Sequence, residues 1–414
     1  MELLSPAGTL EKLHYAYTYG ADAAYVGMQD FSLRTRAGNI TDEMQDDLRQ
    51  IKGSRKLYAA VNSFLHESDL EKLKDRLPIL KQYPFDAFIV SDMGAARLLR
   101  EYFGDTRKLH LSTQANCLNS GAVQMYRDLG FSRVILGRET PLSDIRRIKD
   151  AVPEMEIETF VHGAMCMAYS GRCFLSAFLS GRSANQGDCA HTCRWTYRLL
   201  EREEASSLPA GELALEEESR PGAYYPVYEG DGYTTILSSK DLCMIDHLAA
   251  LQEAGVDSCK IEGRMKSLYY VATVTRAYRK ALDALEQKPG SENWQEYRDE
   301  LFRVSHREYS TGFFFDDEEI AAPTEISYLR DYLLIGTVDT KHESGSYALK
   351  LKNRITQDEP IEYIGPDTLA IADETFTLTD AEGKPLTHAN HHQTVYLRTE
   401  KPIDKGFIIR KKLN

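Results

Sequence analysis

The chain of 414 residues predicts an α/β fold: a (β/α)8-type barrel interrupted by a cysteine-rich insertion and followed by a small C-terminal β-barrel. Three observations predict it. Eight short apolar runs alternate with helical stretches, several are introduced by the same glycine-ended helix, and the pattern changes to short alternating strands from about residue 326. A doubly wound open sheet is the alternative for the first part.

The eight runs are "ELL" at 2–4, "AAYV" at 23–26, "LYAAV" at 57–61, "AFIV" at 87–90, "LHL" at 109–111, "RVIL" at 133–136, "IETFV" at 157–161 and "SCKI" at 258–261. "GADAAYVG", "LGFSRVILGRE" and "AGVDSCKIEGR" echo one another, with "PFDAFIVSD" a looser fourth. Glycine suits the left-handed cap that ends a helix, and the aliphatic residues behind it suit a strand buried on both faces. Polar residues follow many of these runs: Ser5, Asn62, Ser91, Asp92, Gln114, Asn116, Arg138, Glu139, His162, Glu262 and Arg264. In a barrel they converge on the carboxyl rim, where catalytic groups gather; singly, each reads equally well as a turn residue or helix cap.

The alternation breaks over 163–235. Four cysteines are followed by the acidic stretch "LLEREEASSLPAGELALEEESRPG", read as a solvated excursion, and then by "AYYPVYEGDGYTTIL", read as two strands joined at Gly-Asp-Gly. The pattern resumes at "SSKDLCMIDHLAALQEAG", where Ser239 or Asp241 is expected to cap an amphipathic helix, and "YYVATVTRAYRKALDAL" is a long helix. The domains are therefore 1–325, with the insertion inside, and 326–414, an all-β module suited to nucleic acid or protein partners, or to a passive lid or dimer surface.

Composition narrows the class. Hydrophobic residues at 42% indicate a folded globular protein, and no window approaches a membrane-spanning length. With no signal-like start, a soluble cytoplasmic protein is expected, without membrane contact. A formal charge of −13 opposes indiscriminate polyanion binding but permits a local basic cleft.

Seven cysteines in such a chain argue against a disulfide framework and for metal or redox chemistry. Cys166, Cys173, Cys189 and Cys193 crowd into "GAMCMAYSGRCFLSAFLSGRSANQGDCAHTCRW". Four soft thiolates complete either an iron–sulfur or a zinc site, and zinc is the weaker choice because it usually takes its ligands from two tight knuckles. The surroundings are small, polar and basic rather than aliphatic, and Arg172 and Arg194 offset an anionic cluster. Cys117, Cys243 and Cys259 read as packing residues, with Cys243 the substitute should Cys193 not serve as a ligand.

The blocks "FVHGAMCMAYSGRC", "NQGDCAHTCRW", "SSKDLCMIDHLAALQEAGVDSCKIEGRMKS" and "SHREYSTGFF", with "ELLSPAGTLEKLHYAYTYGADAAYVG" and "FSLRTRAGNIT" near the start, resemble those of the collagenase-like peptidase family thirty-two, of unknown catalytic type. The resemblance covers essentially the whole chain. It implies oxygen-independent hydroxylation, and the length and single C-terminal β module are similar to the branch that forms 5-hydroxyuridine at the tRNA wobble position. It further implies a 4Fe–4S cluster on Cys166, Cys173, Cys189 and Cys193, with prephenate as hydroxyl donor.

Two carboxylates on such a donor require cationic clamps, for which guanidinium is the best shaped. Arg34, Arg36 and Arg264 are the candidates, with Lys266, His162 and Glu262 on the same imagined rim. An unstacked base would rest on Trp195, Tyr169 and Arg194. The implied partner is tRNA, with a further protein partner or a homo-oligomer left open. Two other readings stand beside this one: a collagenase-like peptidase, and a noncatalytic RNA-binding or assembly factor. The sequence contains no HExxH helix and no G-x-S-x-G elbow.

Overall fold

Eight parallel strands close into a ring: β1 (Glu2–Pro6), β2 (Ala23–Gly27), β3 (Lys56–Val61), β4 (Ala87–Val90), β5 (Lys108–Leu111), β6 (Arg133–Ile135), β7 (Glu156–Ala164) and β8 (Ser258–Ile261). Each pairs with the next, and β8 pairs with both β7 (Ser258↔Glu158) and β1 (Ser258↔Glu2), so no edge is left. Closure decides for the barrel over the open sheet. The computed structural model describes residues 1–28, 31–32, 40–165, 239–315, 329–342 and 345–413, plus the backbone of three strands within 213–235.

The echoed segments share one device. Helix α1 (Leu10–Thr18) ends at Gly20, whose φ is +105°, and comparable turns occur at Gly130 (+87°) and Gly255 (+88°). Behind each glycine the next N–H reaches back to a helix carbonyl, as Ala21 does to Ala16, Phe131 to Tyr126 and Val256 to Leu251. An aspartate then tethers the start of a neighbouring strand. Asp22 accepts from Leu3 N–H, Asp86 from Leu57 N–H and Asp257 from Ile157 N–H, at 2.7–2.8 Å.

Barrel interiors are usually aliphatic, but the amino end of this one is ionic. Arg133 donates to Glu2 (2.6 Å) and Glu158 (2.9 Å), and Lys260 donates to the other oxygen of Glu158 (2.8 Å). His110, fully buried nearby, is held well below the ordinary histidine range by burial, then by Arg133 and Lys260. Every charge in this ladder has a partner, the condition under which buried ions are tolerated.

The long helix follows β8 as predicted (Leu268–Leu285) and packs against β1 and α1. Two expectations are corrected. The acidic stretch contains a strand, Leu213–Glu216, pairing with Tyr224–Gly230, which pairs in turn with Tyr233–Thr235 across the predicted turn. The alternation "LALE" was outweighed in the sequence by its charged flanks. Asp241 caps no helix: it opens the strand Asp241–Cys243, because its carboxylate is held by Arg307, far away in sequence.

The C-terminal domain is an eight-stranded antiparallel sheet whose central strands are Ile408–Lys412, Tyr332–Lys341 and Tyr347–Leu351. Ile335, Tyr363, Phe376, Leu378, Leu397 and Ile409 form its core. It is riveted to the barrel by buried side chains. Arg410 reaches Glu300 and Tyr269, Arg276 donates to the carbonyls of Gly365 (2.8 Å) and Thr368 (2.7 Å), and Tyr19 donates to Ile364 O (2.8 Å). The predicted boundary at 325/326 lies outside the described residues. Among the described residues no helix is long and apolar enough to cross a membrane.

Candidate active site at the carboxyl mouth of the barrel

Strand β7 continues beyond the barrel. Its last residues, His162, Gly163 and Ala164, pair antiparallel with Cys243, Leu242 and Asp241, and Asp241 and Leu242 pair on their other side with Tyr309 and Ser310. Segments far apart in sequence thus meet where β7 leaves the ring. Beside them the β8 register shifts between Lys260 and Ile261, a bulge of the kind that re-aims side chains near functional sites.

Side chains lock this junction. Arg307 donates through Nη2 (2.7 Å) and Nε (3.1 Å) to Asp241 Oδ1, and both residues are buried. Burial alone would raise the Asp241 pKa, but Arg307 and Lys266 outweigh it and hold the carboxyl below its ordinary value. Ser239 donates to the carbonyl of Met165 at 2.8 Å. Gly163 has φ +107°, and a Cβ there would stand 2.8 Å from the Glu262 carbonyl oxygen. The chain therefore reaches Cys166 from a rigid point.

His162 lies inside this junction. Its ring is buried among Tyr270, Tyr278 and Tyr309, with Nδ1 3.4 Å from the Tyr278 hydroxyl. Burial, against a smaller upward pull from Asp241, pushes its pKa down to about 3. Its Nε2 has no hydrogen-bond partner among the described residues.

Glu262 and Arg264 follow β8 at the rim. Arg264 is buried and donates to Ser32 Oγ at 2.5 Å, which brings it beside the stretch leading to Arg34 and Arg36. Lys266 donates to the Ser305 carbonyl (3.3 Å) and lies 5.2 Å from the Tyr270 ring centre. Arg34, Arg36, Tyr169, Arg172, Arg194, Trp195 and the four cysteines Cys166, Cys173, Cys189 and Cys193 lie outside the described residues.

Sequence reasoning placed Arg138 at the rim but gave it no role. Its guanidinium lies 4.1 Å from the ring centre of Phe160 on β7 and reaches Glu262 Oε2 at 3.5 Å. The signal was present, an arginine directly behind a strand run, though shared with every other rim residue. The Asp241–Arg307 pair left no local signal at all.

Four thiols match an iron–sulfur cluster in number and softness. The other cysteines are packed into the fold, and burial pushes the thiols of Cys117 and Cys243 up to about 11 and of Cys259 up to about 12. Among the described residues no group of three or more histidine, cysteine or acidic side chains could hold a metal.

Residues 8–322 match peptidase family U32, and residues 330–410 match the peptidase family U32 C-terminal domain. The chain belongs to peptidase family U32. It is 37% identical over 441 aligned positions to the tRNA hydroxylation protein P of Escherichia coli, covering 99% of this chain and 96% of that one. It is 35% identical to tRNA hydroxylation protein P1 of Bacillus subtilis, covering 99% and 94%. The U32 family also includes a Porphyromonas gingivalis protein named collagenase, 32% identical with 68% and 66% covered.

Proposed function

We propose that this U32 protein is an oxygen-independent tRNA hydroxylase that forms 5-hydroxyuridine at the wobble position, with a 4Fe–4S cluster on Cys166, Cys173, Cys189 and Cys193 and prephenate as hydroxyl donor. The observation that carries the reading is the end-to-end similarity to the two tRNA hydroxylation proteins, C-terminal domain included. When bound, the cluster supplies single-electron transfer.

The protein's own residues supply position and shape. Asp241, Arg307, Ser239 and Gly163 hold the exit of β7, so the cysteine segment starts from a fixed frame beside the barrel mouth. Phe160 and Lys260 line the interior beneath that mouth, and the neutral His162 contributes a ring whose Nδ1 faces Tyr278. A wobble base leaves its stack to be modified, and Trp195, Tyr169 and Arg194 are the residues we assign to receive it.

The test is nucleoside mass spectrometry of tRNA from a deletion strain carrying Cys173→Ser. Loss of wobble 5-hydroxyuridine supports the proposal; undiminished modification overturns it. The relative named collagenase favours a second reading, a peptidase. Gelatin cleavage by the purified metal-free protein, abolished by replacing one nucleophile, would establish that one instead.

A further inference from the structure

Among the described residues Arg138 leaves most of its donors without a partner, on a side chain only 10% exposed. It stands in a tight turn behind β6, where Thr140 bonds back to the Gly137 carbonyl through both its N–H (3.2 Å) and its hydroxyl (2.8 Å). The turn is close-packed, since a Cβ at Gly137 would lie 2.4 Å from the tip of the Leu118 side chain, which would have to shift. From this base the Arg138 side chain runs along the rim towards the two neighbouring strands. It passes over Phe160 of β7 and points at Glu262 behind β8. The long 3.5 Å contact to Glu262 is its one hydrogen bond among the described residues.

A guanidinium carries five N–H donors in a planar fork. Shielded from most solvent and resting on an aromatic face, it is pre-organised to take a planar anion along the edge that has no partner among the described residues. Arg264 is the contrasting case, also buried but with its guanidinium already engaged by Ser32. The setting selects the anion. Arg138 lies at the mouth of a closed barrel, with Lys260 5.4 Å from the same Phe160 ring, and a small acid can descend there more readily than the backbone of a folded RNA.

We infer that Arg138 is the carboxylate anchor for the small acidic co-substrate, a positioning role the sequence reading had divided among Arg34, Arg36 and Arg264. The assignment rests on the donor reading above. A carboxylate seated on that edge of the fork would be held beside Phe160 and Glu262, at the side of the mouth facing the exit of β7.

The test is equilibrium dialysis of the anaerobically purified, cluster-containing protein, with labelled prephenate in one arm and labelled unmodified tRNA in the other. Arg138→Gln should weaken prephenate binding by about tenfold or more, and Arg138→Lys by a smaller factor, since an ammonium keeps the charge but loses the fork. In both variants tRNA affinity should stay within about twofold, because a single residue seated on the small acid removes little of the electrostatic attraction that governs RNA binding. If the glutamine variant melts early, the lysine variant carries the comparison. Equal prephenate binding by wild type and variants overturns the assignment alone. Loss of tRNA binding with prephenate unaffected overturns it in favour of an RNA phosphate. Wild-type protein that takes up no prephenate overturns the donor reading and the assignment with it.

Discussion

Arg307 grips Asp241 from three directions: Nη2 and Nε reach Oδ1 at 2.7 and 3.1 Å, and the Arg307 backbone N–H reaches Oδ2 at 3.2 Å. The pair ties the strand beside β7 to the segment ending in Tyr309, and so holds the frame from which Cys166 departs. Removing one partner of a buried ion pair strands the other and costs about 3–5 kcal/mol. Arg307→Ala should lower the melting temperature by many degrees and reduce iron per chain. A variant with wild-type melting would show that the junction is held by other means.

The ionic barrel floor makes the fold sensitive to acid. Burial raises the Glu2 pKa, but Arg133 and Lys56 outweigh it and bring it down to about 2 from 4.5. A carboxyl depressed on folding contributes stability that is complete above its unfolded value and lost as pH falls through the folded one. The Glu2 contribution, on the order of 3 kcal/mol, should therefore disappear between about pH 4.5 and 2. Denaturant unfolding of wild type and Glu2→Gln at pH 5 and pH 3 checks this, and the variant should show the shallower dependence.

The proposed cluster divides the cysteines into two sets. Alanine at Cys166, Cys173, Cys189 or Cys193 should abolish bound iron and sulfide, whereas alanine at Cys117 or Cys243, whose thiols burial holds protonated at neutral pH, should leave the cluster in place. Iron and sulfide analysis with anaerobic visible and paramagnetic resonance spectra provides the measurement. Loss of the cluster in the Cys243 variant alone, with Cys193 dispensable, would reassign the fourth ligand.

His162 should stay neutral through the physiological range. With its pKa pushed down to about 3 by burial, nitrogen-detected NMR of labelled histidine should show no protonation of this ring between pH 5 and 8. A midpoint inside that window would mean that a nearby anion stabilises the imidazolium, and would restore a charged role at the mouth.

Gly163 is required by its backbone. With φ at +107° and the Glu262 carbonyl in the path of a Cβ, Gly163→Ala incurs both backbone strain and a clash, costing about 1–3 kcal/mol or more. Melting temperature and cluster content should fall together. A variant with stability unchanged but the cluster lost would instead assign the glycine to cofactor access.

By itself the sequence determined the alternation of buried strands and helices, though not that the sheet closes into a ring, and the reason is local. A strand buried on both faces must be a short aliphatic run, and a helix turning back onto it must end in a residue that tolerates positive φ, as Gly20, Gly130 and Gly255 do. It also set out the four clustered thiols, whose crowding is a property of adjacent positions. What the tertiary structure decided concerns partners remote in the chain. Asp241 forgoes a helix cap for Arg307, 66 residues away, and Arg138 reaches Glu262 across 124. His162 follows a strand like any rim residue, yet is sealed and neutral because Tyr270, Tyr278 and Tyr309 close over it. Which polar groups behind eight similar strands stay open to a ligand is settled only when the ring closes and remote side chains compete for the same donors and acceptors.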